Sequence, residues 1–127
     1  MWKKLFGSLI DERYNFMQGI TKEARYVLVN LYREYLNRRD RGFSRSDAAL
    51  FGDSNTLQKT LFPGEDSENI SDLCWELHRQ GYLFCTPGDN LANDVTLLPK
   101  AIVAMEQRFP NGLKQILDAL GKLGTFF

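Results

Sequence analysis

Apolar positions recur at helical spacing along most of the chain, and the exceptions cluster in one short region. From residue 22 to 39, Ala24, Val27, Leu28, Leu31, Tyr35 and Leu36 form a stripe, with Arg33, Glu34, Asn37 and Arg38 opposite. Steps of three and four place such residues on one face of an α-helix. Thr21 stands where an N-cap hydroxyl is wanted, and Gly42 where the chain leaves the helix. From 66 to 80, Ile70, Leu73, Cys74 and Leu77 repeat the pattern and Gly81 ends it. A third stripe, Ala101, Ile102, Met105 and Phe109, follows Pro99, whose missing N–H costs nothing at a first helical position. Between these lie two runs that read as strands, the aromatic-rich Tyr82-Leu83-Phe84-Cys85 and Val95 to Leu98. Thr86 to Asp94, centred on Pro87-Gly88-Asp89-Asn90, reads as a long turn that joins them antiparallel.

The rest of the chain is punctuated by caps and breaks. Ser44 and Asp47 form a capping box ahead of Ala48, Ala49, Leu50 and Phe51, which predicts a short helix ending at Gly52. Asp53, Ser54 and Asn55 offer another cap before Leu57, Leu61 and Phe62, and Pro63-Gly64 is a firm break. Trp2, Leu5, Phe6, Leu9 and Ile10 predict an amphipathic helix over residues 2–14. Leu113, Ile116, Leu117 and Leu120 predict another over 111–122. One domain of residues 1–127 is expected, with an N-terminal arm (1–19), a core (22–109) and a C-terminal helix (111–127). The apolar face of that last helix needs cover, from the arm or from the same helix of a second subunit. Leu113, Ile116, Leu117 and Leu120 are therefore the candidate dimerisation residues, and a homodimer is expected.

Charge narrows the function classes. Sixteen Lys and Arg balance sixteen Asp and Glu, so whole-chain basicity gives no argument for nucleic acid. A neutral chain also favours self-association. No apolar run is long enough to span a bilayer, and no signal-peptide pattern follows Lys3 and Lys4, so a cytoplasmic protein is expected. Only those two cations support a membrane-surface helix, and Asp11 and Glu12 follow the apolar stretch, which argues against one. Two cysteines do not make a disulfide framework. Cys74 and His78 share a helix face and Cys85 follows, yet a structural zinc wants four ligands and no C-x-x-C pair is present. With one histidine and no glycine-rich phosphate loop, neither metal, cofactor nor enzymatic activity is expected.

The phrase Leu73-Cys74-Trp75-Glu76-Leu77-His78-Arg79-Gln80-Gly81-Tyr82-Leu83 resembles the third helix and first wing strand of winged-helix (winged helix-turn-helix) domains. Val95-Thr96-Leu97-Leu98-Pro99-Lys100-Ala101-Ile102 is similar to their second wing strand and the helix after it. There the family often has threonine and glycine where this chain has Leu98 and Ala101. The resemblance covers about residues 22–109. It implies an α+β, mostly helical fold with a two-stranded β-wing, and a DNA-binding transcriptional regulator whose third helix enters the major groove. The basic residues for that role are Arg38, Arg39, Arg41 and Arg45. Asn69, Arg79 and Gln80 are the groove-facing candidates, with Asp72 and Glu76 beside them. Residues 65–81 carry five acids against Arg79 alone, and the turn Pro87–Asn90 has no cation. Phosphates repel that pattern. A second reading therefore stands beside the first: a non-enzymatic protein-interaction module on the same fold. In that reading the acidic helix meets a protein, and Trp75 either packs internally or anchors the partner.

Overall fold

A computed structural model describes residues 19–123, with side chains to Gly121. The helix expected over 2–14 lies outside the described residues. Helix α1 (Lys22–Asp40) opens at Thr21, whose hydroxyl accepts the Ala24 N–H at 3.1 Å. Its apolar stripe is fully buried at Ala24, Val27, Leu28 and Leu31. A single turn, α2 (Arg45–Ala48), follows the Ser44 cap, then strand β1 (Leu50–Gly52) and helix α3 (Ser54–Leu61), capped by Asp53 onto the Thr56 N–H. Helix α4 (Ser67–Arg79) leads into the hairpin β2 (Leu83–Gly88) and β3 (Leu91–Leu97). Helices α5 (Pro99–Arg108) and α6 (Leu113–Leu123) end the described chain. Among the described residues the fold is mixed α+β and mostly helical, with one antiparallel sheet in the order β1-β3-β2.

Two expectations fail in this region. Leu50 and Phe51 do not continue the capping-box helix; with Gly52 they form β1, a third strand beside the expected two. Leu50 lies opposite Thr96 and Gly52 opposite Val95, and the Leu97 N–H donates to the Ala49 carbonyl at 2.9 Å. The capping box starts a helix, but one turn gains little, and pairing with β3 satisfies backbone groups that would otherwise be orphaned. The supposed long turn is also mostly strand. Thr86, Pro87 and Gly88 pair with Asn93, Ala92 and Leu91, which leaves only Asp89-Asn90 as the turn. Both residues have positive φ, 54° and 63°, as a two-residue hairpin turn requires and as Asp and Asn tolerate. Pro87 is permitted because β2 is an edge strand. A register shift between Phe84 and Thr86, with Asp94 at φ 52°, bulges β3 and curls the hairpin.

Helix α4 is the hub. It packs against α1, α3 and both hairpin strands. Ile70, Cys74 and Leu77 are fully buried, and Leu83, Val95, Met105 and Leu31 share that core. The Ser71 hydroxyl accepts the Ala92 N–H at 2.9 Å, a buried bond that fixes the hairpin on the helix. Helix α6 lies on α1 and buries Ile116 completely. Leu113 and Leu120 are half-buried, and Leu117 is 50% exposed.

Candidate functional site

The basic residues singled out in the sequence gather where α1 ends and β1 begins. The Arg38 guanidinium donates to the Leu50 carbonyl at 2.5 Å and the Ala48 carbonyl at 3.4 Å. It also lies 3.4 Å from the Glu34 carboxylate and 4.5 Å over the Phe51 ring. Arg39 donates to the Phe43 carbonyl at 2.9 Å. Arg41 pairs with Glu34 at 3.2 Å and covers the Phe43 ring. Arg45 starts α2 and is exposed. Three of the four arginines thus hold the corner together. The carbonyls they bond and the ring beneath Arg38 give the cluster a structural use.

The acidic residues of α4 divide in two. Glu76 turns inward along the chain: its carboxylate accepts the Thr21 N–H at 2.6 Å and the Thr21 hydroxyl at 3.0 Å. That places a negative charge on the positive end of α1, where it is stabilising. Glu68, Asp72 and Arg79 are exposed, and with half-buried Trp75 they fall at steps of four, three and four on one face. Asn69 is half-buried and donates to Glu65 at 3.3 Å.

The hairpin tip completes this face, which the sequence reading did not foresee. Asp89, Asn90 and Leu91 separate two adjoining clefts over α4. One, of about 560 Å³, is lined by Asn55, Ser67, Glu68, Ser71 and Asp72 with the tip. The other, of about 450 Å³, is lined by Trp75, Pro87 and Gly88 with the same tip. Glu68, Asp72 and Asp89 supply carboxylates, and among the described residues no Lys or Arg lines either cleft. The Trp75 ring meets His78 edge-on at 5.3 Å, and His78 meets Phe84, 44% exposed, at 6.4 Å. The signal for the tip was present in Asp89-Asn90, a dipeptide suited to a two-residue turn.

The Cys74–His78–Cys85 trio has a packing role. Both thiols are free and buried. Burial, then the neighbouring Cys85, pushes the Cys74 thiol up to about 12, and burial pushes Cys85 up to about 11. Both therefore hold their protons at neutral pH, which makes them poor nucleophiles. The His78 Nδ1 lies 3.2 Å from the Leu83 carbonyl. Among the described residues no group of three or more His, Cys, Asp or Glu is placed to hold a metal ion. None of the described helices is long and apolar enough to cross a membrane. Comparisons of the chain with family models, with curated proteins and with solved structures return no match.

Proposed function

We propose that the chain is a non-enzymatic protein-interaction module on a winged-helix plan, with the open side of α4 and the hairpin tip as its contact surface. The plan is supported by the order of elements, a long first helix, a short edge strand, two further helices and a hairpin. It is supported also by the sheet order, in which the third strand lies between the other two.

One observation carries the choice of a protein partner over DNA. The face that a winged-helix reader turns to the groove bears Glu68, Asp72 and Asp89 against Arg79, a net negative charge, while Arg38, Arg39 and Arg41 are bonded within the chain and Arg45 is exposed. Duplex DNA is held by cations that replace its counterions, and carboxylates in the groove repel the phosphates on either side. The test is fluorescence anisotropy with a labelled random duplex at low and moderate salt. No binding is expected even at low salt. Affinity that appears at low salt and falls steeply with added salt would overturn the reading in favour of a DNA-binding regulator.

A further inference from the structure

The open face of α4 has chemistry enough to say what kind of partner fits it. Glu68 and Asp72 stand one helical turn apart, a like-charge spacing that disfavours the isolated helix. The hairpin tip brings a third carboxylate, Asp89, to the same cleft, and no cation among the described residues lines it. Beyond the tip, the neighbouring cleft shares Asp89, Asn90 and Leu91 and adds the Trp75 indole and Pro87. The two walls are set before any partner arrives. The buried Ser71–Ala92 bond fixes the hairpin to the helix, and the turn itself is only two residues long. A groove with fixed walls costs a ligand less ordering than one that must be assembled. The larger cleft, at about 560 Å³, is of a size that takes small-molecule or side-chain ligands.

From charge complementarity and this geometry, and resting on the interaction reading above, we infer that the groove between α4 and the hairpin tip takes a cationic peptide segment. An Arg or Lys of the partner sits among Glu68, Asp72 and Asp89, and a neighbouring planar or apolar side chain lies against Trp75 and Leu91. Arg suits the site better than Lys, because its planar fork binds carboxylates in pairs and stacks on indole faces.

Backbone amide NMR of the full chain tests this with three capped peptides that alternate Leu with Arg, with Gln or with Glu, and with a random duplex. The Arg peptide is expected to shift the amides of Glu68, Asp72, Trp75, Asp89 and Leu91, less so as salt rises. The variant carrying Glu68→Gln, Asp72→Asn and Asp89→Asn should bind it about tenfold more weakly, from three partly exposed charge contacts. Asn keeps the left-handed turn at 89, and the variant's amide spectrum checks its fold. No shift on this face with the Arg peptide, or unchanged affinity in the variant, overturns the inference. Equal or stronger shifts with the Gln or Glu peptide overturn the cationic partner and leave the interaction reading standing. Shifts by the duplex on the same residues overturn the interaction reading itself.

Discussion

The corner between α1 and β1 and the open side of α4 carry opposite charge and use it in opposite ways. At the corner, Arg38 satisfies two main-chain carbonyls, Arg39 a third, and Arg41 shares Glu34 with Arg38. Arg45 is exposed, and the other three of the four cations there bond their own chain. On α4 only Glu76 does so, across to Thr21, while Glu68 and Asp72 stand exposed beside Asp89 at the tip. Residue counts would give the chain a basic patch and an acidic helix of similar standing. The hydrogen bonds give them different ones, because Nη1 of Arg38 already holds two carbonyls and its Nε faces Glu34, so fewer of its five N–H donors are open to a phosphate.

Removing members of each region should therefore have unequal effects. Arg38→Ala leaves the Ala48 and Leu50 carbonyls and the Phe51 ring without their cation. It is expected to cost about 2 kcal/mol, as for hydrogen bonds to a charged group, read as a lower urea midpoint. A change smaller than a surface substitution gives would break the comparison at its basic end. Glu76→Ala removes two hydrogen bonds and the charge at the start of α1, with an expected loss of about 1.5 kcal/mol. That result would mark Glu76 as structural within an otherwise open helix.

Asp53→Ala, next in size, should cost about 1 kcal/mol through loss of the α3 cap. The Thr56 backbone N–H, ahead of smaller effects, holds the Asp53 carboxyl below its usual range. A depressed carboxyl stabilises the fold above its unfolded pKa, and that contribution disappears as the pH falls through the folded value. The difference between wild type and Asp53→Ala should accordingly shrink on acidification below about pH 4. At the acidic end, Glu68→Gln with Asp72→Asn should change stability by no more than about 0.5 kcal/mol, as for exposed residues. A slight gain is expected from relief of the like-charge pair. A large loss would show that these carboxylates, like the arginines, are committed inside the fold.

Much of the architecture was legible because its signals are local. The caps at Thr21, Ser44 and Asp53, the Pro99 start and the Gly81 stop all act within a turn of where they stand, and each marks an observed helix boundary. Strand β1 was not legible. Three residues have no period to read, and their partners, Thr96 and Val95, lie more than forty positions away. The hairpin was read too short because Pro87 and Gly88 are turn formers in isolation, whereas an edge strand with a bulge accommodates both. The face of α4 was legible as acidic. Its division into a structural Glu76 and an open Glu68–Asp72 pair depends on Thr21, fifty-five residues earlier, and so required the fold. The same holds for the arginines, which form a cluster in sequence and a clamp only once β1 is in place.

On the proposed reading, the sign of the charge on α4, rather than its shape, keeps the face off DNA. The direct test reverses it. Duplex binding is measured by anisotropy at several salt concentrations for the wild type and for Glu68→Lys with Asp72→Lys. The wild type should not bind. The reversed chain should gain nonspecific affinity whose logarithm falls with log salt at a slope of about −2, one unit for each new phosphate contact. Equal binding by both, or none by a folded reversed chain, would contradict the account.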